Sequence, residues 1–432
     1  MEFTYSTDVK VGKKVKLRGW IDQIRDIGNL KFFKLRDREG LIQVTLKKGE
    51  TPDELLKLVE DFHREDCVIV EGIVKSSKIA IGGKEIFPDK IEVVNRAETP
   101  LPIETKKMIN TSVDKRFDYR FIDIRDRNIQ AVFRVKDKVL SSMREFFEKE
   151  GGFIEVQTPV IQAAGAEGGA TLFPVKYYKE NAFLRQSPQL YKQMLMASGL
   201  DKVYEIGPAF RAEKFHTRRH VSEFISVDFE MAWIDSVEDV MKVVERMAAY
   251  AVKKTLKECK RELEILGVKD VKVPELPFKR ITYSDGVDIL NKMGKSFEWG
   301  EDMTDVEERI IGDYMMKKGH EWYFVTRFPS KLKPFYIMMD GKESHSYDCI
   351  YRGMEMASGG QREHRYDVLV KVMKEKGLNP KNFKFYLDAF RWGMPPHGGM
   401  GFGVERMVQQ MLKLENIKEA ILFPRTPERL VP

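Results

Sequence analysis

The sequence predicts an α+β protein with an N-terminal β-barrel and a larger second part built on a mostly antiparallel sheet flanked by helices. Short segments in which apolar and polar residues alternate dominate residues 1–102. Two prolines within residues 99–102 then interrupt regular structure. Beyond them, strand and helix patterns follow one another without the regular βαβ order of a parallel sheet. We therefore expect a barrel domain over 1–102, a hinge over 103–128 and a larger domain over 129–432.

The barrel prediction rests on strand-like segments at 15–24, 31–37, 41–46, 68–75 and 85–94, with one helical segment at 52–63. Five strands with a helix between the third and the fourth is the layout of an OB-fold barrel. On the second strand Phe32, Lys34 and Arg36 share one face, and Gln43 faces outward on the next. An aromatic ring among cations predicts a platform on which nucleic-acid bases stack. The alternative is that Phe32 belongs to the rim of the barrel core.

The composition narrows the class of protein. The 432 residues carry a net charge of +7, with 42% hydrophobic and 33% charged residues, which is typical of a globular chain and excludes extensive disorder. The sequence contains no window of about 18 uncharged apolar residues, so we expect no membrane span. The three cysteines, Cys67, Cys259 and Cys349, form no CxxC pair, and we therefore expect a cytoplasmic protein. The positive charge permits a polyanionic partner without establishing one.

The most informative segment covers residues 203–232, where two alternating runs flank a basic loop and predict a long antiparallel hairpin. On the second run, one face holds Phe224 and the polar residues Ser226, Asp228 and Glu230. A lone aromatic ring on a polar face suits a flat apolar partner such as a nucleobase. Arg211, which shares a face of the first run with Glu213, can bind a phosphate through paired hydrogen bonds. The alternative is a solvated face on which Arg211 and Glu213 form a surface pair.

A glycine-rich segment lies at residues 394–407. Its glycines at positions 398, 399, 401 and 403 leave room for a ligand to approach the backbone, and Arg406 falls in the first turn of the next helix. The segment therefore predicts a glycine-rich turn, which by itself is weak evidence for a nucleotide site. The sequence has neither a GxxxxGK[ST] loop nor a GxGxxG fingerprint after a strand, which excludes a P-loop and a Rossmann site.

Residues 346–364 hold two carboxylates, Asp348 and Glu355, in apolar surroundings, and the hydroxyl of Ser358 follows. A buried carboxylate is costly unless it is paired or bound to a metal. Oxygen ligands of this kind suit Mg²⁺, which shares its coordination with the oxygens of ATP. The alternative is a structural ion pair with Arg352 or Arg362.

These segments together resemble a known family. The segments FRAE and RHVSEF resemble motif 2 of the class II aminoacyl-tRNA synthetases. The segment GMGFGVER resembles motif 3, and FIEVQTPVI, which contains Pro159, resembles motif 1. The resemblance implies a class II catalytic domain that uses ATP with Mg²⁺ and dimerises through the motif 1 helix. It implies catalytic roles for Arg211 and Arg406. It implies ATP contacts from Arg211, Glu213, His220, Phe224, Glu355 and Arg406, and Mg²⁺ ligands from Asp348, Glu355 and Ser358.

Within the family, the chain is most similar to the aspartate-specific members, in QSPQLYKQM, SGGQREH and RWGMPPHGG. This resemblance implies that L-aspartate is held by Glu167, Ser187, Gln189, Lys192, Asp228 and Arg362. Lys192 and Arg362 would supply the positive charge that a side-chain carboxylate needs. The asparagine-specific members resemble AEGGATLF and FRAEKFHTRRH nearly as well but generally lack the lysine at position 192. Asparagine specificity, a non-catalytic RNA-binding paralogue and a tRNA-independent amide synthetase remain alternatives.

The resemblance also implies that the barrel binds the anticodon of tRNA(Asp), through Arg25, Phe32, Gln43 and Glu85. The chain lacks the large insertion of bacterial aspartate-specific enzymes between motifs 2 and 3 and resembles the compact archaeal kind. Some archaeal members also charge tRNA(Asn). Asp22 and, with an uncertain alignment, Ile81 occupy the positions that separate the two specificities, and neither residue is typical of either one. The sequence leaves tRNA(Asn) open as a partner.

Overall fold

The computed structural model describes residues 2–104, 111–163, 172–212 and 219–432. It divides into two compact units, Met1–Glu104 and Thr105–Pro432. The domain boundaries at residues 102 and 128 stay predictions. In the described part of the predicted hinge, residues 111–128, the buried Arg120 donates hydrogen bonds to the backbone carbonyls of Glu419 and Leu422 within the second unit.

The first unit is a closed five-stranded barrel, which confirms the predicted OB-fold layout. Its elements are β1 (Lys14–Asp26), β2 (Leu30–Arg36), β3 (Leu41–Lys47), α1 (Asp53–Glu60), β4 (Cys67–Ser76) and β5 (Lys84–Asn95). The strand order is β1-β2-β3-β5-β4, and β4 pairs back with β1 to close the barrel. The barrel interior is filled by the inward residues of each strand, among them Leu17, Phe33, Leu35, Val44 and Val70. The period-two alternation of the sequence therefore predicts which side chains form this core.

The second unit is built on an eight-stranded sheet in the order β12-β13-β16-β17-β18-β11-β10-β6. The strands of this unit are β6 (Phe153–Glu155), β7 (Ile161–Gln162), β8 (Pro174–Tyr177), β9 (Glu180–Leu184), β10 (Lys202–Phe210), β11 (Glu223–Ala232), β12 (Lys279–Thr282), β13 (Trp322–Thr326), β14 (Met339–Asp340), β15 (Glu343–Ser344), β16 (Ser346–Tyr351), β17 (Met354–Gln361) and β18 (His397–Gly403). Only the pairs β12–β13 and β10–β6 of the eight-stranded sheet are parallel, which confirms the predicted mostly antiparallel sheet. Two small sheets, β7-β9-β8 and β14-β15, lie outside it.

Helices flank this sheet. They are α2 (Val113–Asp118), α3 (Arg120–Asp123), α4 (Arg127–Glu150), α5 (Gln189–Met196), α6 (Val237–Glu258), α7 (Lys260–Leu266), α8 (Tyr283–Lys292), α9 (Asp305–Lys317), α10 (Tyr366–Glu375), α11 (Lys384–Arg391) and α12 (Val404–Leu412). The predicted motif 1 helix is α4, whose buried stripe includes Val135, Val139 and Met143. It ends at Gly151, where φ is +67°, a backbone conformation that glycine adopts without strain. In the described residues no helix is long and apolar enough to cross a membrane.

The hairpin of β10 and β11 and the strand β18 lie side by side in the middle of the sheet. Strand β11 pairs with β10 from Met231 back to Glu223, and on its other side with β18. Strand β18 in turn pairs with β17. This order brings the three informative segments of the sequence onto adjacent strands and thereby creates one site.

Candidate active site and RNA-binding face

A cavity opens on the strands β11, β17 and β18 of the second unit. Its lining includes the predicted residues Ser187, Gln189, Arg211, His220, Phe224, Asp228, Glu355, Ser358, Arg362 and Arg406. Residues that are far apart in the sequence thus converge because the antiparallel sheet places their strands side by side. The predicted residues Glu167 and Glu213 lie outside the described residues.

Phe224 and Arg211 lie next to each other at one end of the cavity. The guanidinium carbon of Arg211 lies 5.5 Å from the ring centroid of Phe224. Within the described part of the chain, the Nε atom of Arg211 is buried without a hydrogen-bond partner. A buried donor of this kind is costly until a ligand satisfies it. An anionic group beside a flat base would meet that need.

The glycine-rich segment forms the strand β18 rather than the predicted turn, so that prediction is wrong. A side chain at Gly399 would lie 2.2 Å from the Glu230 carboxylate, and one at Gly398 would lie 2.8 Å from the Val240 side chain. These two glycines therefore serve internal packing. Gly401 and Gly403 do line the cavity, and a side chain at Gly401 would lie 3.3 Å from the Asp228 carboxylate. Two of the four predicted glycines thus line the cavity.

The predicted metal ligands lie on the neighbouring strands β16 and β17. Asp348 is directly opposite Ser358 in the ladder, and Glu355 forms an ion pair with Arg406 at 3.3 Å. Lys333 donates to both oxygens of Asp348 at 3.1 Å. The ion-pair partners proposed from the sequence are wrong, because Arg352 pairs with Asp270 and Glu321, and Arg362 pairs with Glu230. Asp348 lines a second cavity, which shares Lys333, Glu355 and Ser358 with the first.

The electrostatics at this end favour an added cation. Burial raises the pKa of Asp348, and the nearby charge of Glu355 raises it further, while Lys333 opposes the shift. Burial and the charge of Glu355 also raise the pKa of Glu308 on α9 to about 8. Among the described residues no three His, Cys, Asp or Glu side chains form a ready-made metal site. The two carboxylates and the hydroxyl of Ser358 are hard oxygen donors that fit Mg²⁺ once ATP supplies further oxygens.

At the opposite end of the cavity, two cationic side chains form ion pairs with two carboxylates. Arg362 donates to both oxygens of Glu230, at 2.8 and 3.2 Å, and Lys192 donates to Asp228 at 2.8 Å. The Lys192 ammonium also lies 3.6 Å from Glu230. Burial works against ionisation of Glu230, but Arg362 and Lys192 outweigh it and lower the pKa of Glu230. Arg362 and Asp228 line the cavity, whereas Lys192 and Glu230 lie behind them.

The position of Lys192 differs from the sequence-based expectation. The lysine is 2% exposed, and besides Asp228 its ammonium donates to the backbone carbonyl of Met400 at 2.7 Å. It is not among the residues that line the cavity. Lys192 therefore influences a ligand through Asp228 and through its charge rather than through the cavity wall.

A chain of hydrogen bonds links Arg362 through two glutamines to His397. The side-chain oxygen of Gln189 accepts from Arg362 Nη2 at 3.4 Å, and the amide of Gln189 donates to Gln193 at 2.9 Å. Gln193 contacts Nε2 of His397 at 3.0 Å, and Nδ1 of His397 lies 2.8 Å from the carbonyl of Pro395. Because a carbonyl can only accept, Nδ1 carries the proton and Nε2 accepts from Gln193. Burial lowers the pKa of His397 to about 4, so this imidazole is neutral.

Several of these residues were not predicted as site residues from the sequence. Glu230 carries a detectable signal, because it shares the polar face of β11 with Phe224 and Asp228. Lys333 carries none, since it lies in the segment between β13 and β14 with no periodic pattern around it. Arg219 also lines the cavity and forms ion pairs with Asp305 and Glu308 of α9. Such pairings depend on the tertiary fold and have no local sequence pattern.

On the barrel, the four predicted anticodon residues lie on the consecutive strands β1, β2, β3 and β5. In the ladders Arg25 is opposite Phe32, and Gln43 is beside Glu85. Phe32 is half-buried, whereas its neighbours Phe33 and Leu35 belong to the core. The amide of Gln43 donates to Glu85 at 3.1 Å, which orients it at the surface.

Two other barrel residues differ from expectation. Arg36 is 5% exposed and donates to Asp22 at 3.1 Å and to Glu65 at 2.9 Å, so it does not belong to the outward cationic face. Asp22 is itself buried by this contact. The position that the sequence associates with tRNA discrimination is thus part of an internal ion-pair cluster.

Comparisons with known proteins identify the family that this chain resembles. A family model described as class II tRNA synthetases (D, K and N) matches residues 112–427, and one described as an OB-fold nucleic acid binding domain matches residues 15–94. The chain is 49% identical to an aspartate–tRNA(Asp) ligase of Pyrococcus abyssi, over 98% of this chain and 97% of that protein. It is 47% identical to an aspartate–tRNA(Asp/Asn) ligase of Methanopyrus kandleri, over 99% of both. Among solved structures, asparaginyl-tRNA synthetase from Pyrococcus horikoshii with asparaginyl-adenylate matches with a TM-score of 0.94 and 38% identity, over 100% of both chains.

Proposed function

The chain belongs to the class II tRNA synthetases for aspartate, lysine and asparagine, and from this premise we propose that it attaches L-aspartate to tRNA(Asp) in an ATP-dependent reaction through aspartyl-adenylate. The observation that carries the amino-acid assignment is the buried guanidinium of Arg362. It lines the cavity, and in the described part of the chain its Nη1 atom has no hydrogen bond. A side-chain carboxylate of the substrate is the group that matches this donor.

The other aspartate contacts follow from the same end of the cavity. Asp228 and Gln189 line the cavity beside Arg362, and Ser187 precedes α5 at the same wall. Asp228 is an acceptor for the substrate ammonium group, because its charge is only partly offset by Lys192. We propose that Glu167, which lies outside the described residues, also contacts this ammonium group.

The opposite end of the cavity suits ATP. Phe224 offers a ring for the adenine, and Arg211, with its unsatisfied Nε, offers a donor for the α-phosphate. His220 and Arg406 line the same space, and Glu213 completes the proposed set. The reaction needs no catalytic base, since the substrate carboxylate attacks the α-phosphorus in line. Catalysis then depends on positioning and on charge stabilisation by Arg211 and Arg406.

We propose that Asp348, Glu355 and Ser358 hold Mg²⁺ together with ATP. When bound, the ion neutralises phosphate charge and orients the pyrophosphate leaving group. Lys333 and Arg406 provide positive charge next to Asp348 and Glu355, respectively. Binding of ATP with Mg²⁺ would therefore replace these contacts and supply positive charge beside Asp348 and Glu355.

We further propose that the barrel reads the anticodon through Arg25, Phe32, Gln43 and Glu85, and that two chains form a homodimer through α4. The outward patch on the barrel supports the first proposal, and Ile154 on β6, which is 45% exposed, supports the second. A reducing cytoplasm suits the free thiols of Cys259 and Cys349. Charging assays with a tRNA(Asn) transcript test whether it is a second acceptor.

Asparagine specificity is the second candidate, because the structure matches that of an asparaginyl-tRNA synthetase with a TM-score of 0.94. The shared fold does not distinguish the two amino acids, because aspartyl-adenylate and asparaginyl-adenylate differ only in a side-chain carboxylate or amide. The test is ATP–pyrophosphate exchange without tRNA, with aspartate and asparagine supplied separately. We expect exchange with aspartate. Exchange with asparagine alone would exclude the proposal.

A further inference from the structure

The outward face of the barrel carries a second aromatic residue that the anticodon patch does not include. Phe87 on β5 lies two residues after Glu85 and is half-buried on the same side of the strand, while Ile86 between them belongs to the core. The ammonium of Lys75 on β4 lies 3.8 Å from the centroid of the Phe87 ring. The Lys75 side chain is 50% exposed, and its ammonium also lies 3.9 Å from the Glu50 carboxylate.

The ladders place this pair in line with the proposed anticodon residues. A polar row crosses four strands, because Lys34 pairs with Gln43, Gln43 with Glu85, and Glu85 with Lys75. The row therefore begins and ends with a lysine. Its two central residues are joined by the hydrogen bond between Gln43 and Glu85.

An apolar row runs beside the polar one. Phe32 is opposite Thr45, and Phe87 is opposite Ile73, which is 42% exposed. Strands β3 and β5 are parallel, and Val44 is beside Ile86. The next residues along the two strands, Thr45 and Phe87, are therefore also side by side. Thr45 is only 3% exposed, as expected for a residue between two rings. With a strand spacing of about 4.8 Å, Phe32 and Phe87 lie roughly 10 Å apart.

We propose that Phe87 is a second base-stacking residue of the barrel and that Lys75 binds the backbone phosphate beside that base, so that the chain takes up single-stranded RNA beyond the nucleotides at Phe32 and Gln43. The apolar row holds two aromatic rings on which bases can stack, and the polar row has a lysine at each end that can bind phosphates. Bases joined by phosphates are the chemistry of single-stranded RNA. This inference rests on the proposed function, because the RNA is the anticodon loop of the cognate tRNA.

The test measures the Kd of the full-length protein for a hairpin transcript of the tRNA(Asp) anticodon arm. Phe87→Ala should raise the Kd by roughly 5- to 100-fold, the range for loss of one stacked base. Phe87→Leu keeps an apolar side chain against the barrel and should weaken binding similarly, whereas Phe87→Tyr should bind within about twofold of wild type. Lys75→Gln should reduce the slope of log Kd against log salt by roughly 0.7, the value for one phosphate contact to a single strand.

Phe3→Ala is the matched control. Phe3 is also an exposed barrel aromatic with a cation over its ring, Arg18 at 4.5 Å, but it adjoins β1 on the far side of β4 from Phe87. This variant should bind like wild type. Phe32→Ala serves as the positive control. If Phe32→Ala weakens binding while Phe87→Leu and Phe87→Ala do not, the inference is overturned and the proposed function stands. If wild type binds the cognate arm no better than an unrelated hairpin, the proposed function fails as well.

Discussion

Substitution of Lys192 by methionine tests how the cavity distinguishes a charged from a neutral side chain. In the wild-type protein Lys192 and Arg362 balance Asp228 and Glu230, so the four side chains have no net charge. Lys192→Met preserves much of the side-chain volume and leaves a net charge of about −1. The side-chain carboxylate of aspartate would then enter a negative site, whereas asparagine carries no side-chain charge.

The size of the effect follows from the distance. Lys192 is separated from the cavity by Asp228, at 2.8 Å from its ammonium, so its charge acts on the substrate from roughly 6 Å. At that separation and an effective dielectric constant of about 20, one unit charge contributes roughly 3 kcal/mol. We therefore expect the ratio of kcat/KM for aspartate to that for asparagine to fall by about two orders of magnitude. ATP–pyrophosphate exchange with each amino acid measures this ratio without tRNA.

Arg36→Met is the matched control, because Arg36 is also a buried cation shared by two carboxylates, Asp22 and Glu65. It belongs to the barrel unit and should lower the stability of the protein without changing the aspartate-to-asparagine ratio. Misfolding of the Lys192 variant would lower exchange with both amino acids. An unchanged ratio in a folded Lys192→Met protein would refute the charge-balance reasoning.

Three further predictions address the phosphate site, the buried histidine and the assembly. Arg211→Gln should lower aspartate-dependent exchange by roughly 100- to 1,000-fold through lost transition-state stabilisation, and full activity would remove Arg211 from the phosphate site. Burial lowers the pKa of His397 from 6.5 to about 4, so its contribution to stability is present above pH 6.5 and is lost as the pH falls toward 4. His397→Gln should remove a pH dependence of roughly 3 kcal/mol from the free energy of unfolding, measured by denaturant titration between these pH values; an identical pH dependence in both proteins would contradict it. Light scattering at micromolar protein should give the mass of a dimer, and a fully active monomer would disprove the dimer.

The elements that could be predicted from the sequence are those with a local periodic pattern. Alternation located the barrel strands within a few residues, and helical spacing located α4 with its end at Gly151. The hairpin face that holds Phe224, Ser226 and Asp228 was predicted for the same reason. These patterns are local because strand and helix geometry fix which side chains share a face.

The parts that could not be predicted depend on contacts between distant segments. The sequence predicts a turn open to a ligand at the glycines at 398 and 399, but these glycines make room for the Val240 and Glu230 side chains. Alternation places Arg36 on the outer face of β2, but it does not reveal that the guanidinium is buried there against Glu65. The sequence predicts Lys192 at the cavity wall, whereas in the structure Asp228 lies between Lys192 and the cavity. Alternation predicts on which side of a strand a residue lies, but it does not predict the ion-pair partner of a long charged side chain.

The most direct test of the account is aminoacylation of a tRNA(Asp) transcript by the wild-type protein with ATP, Mg²⁺ and labelled amino acid, with aspartate and asparagine in parallel reactions. A tRNA(Asn) transcript under the same conditions establishes whether it is a second acceptor. We expect aspartyl-tRNA(Asp) to form with aspartate and little charging with asparagine. Formation of asparaginyl-tRNA(Asn) without any charging of tRNA(Asp) by aspartate would contradict the account.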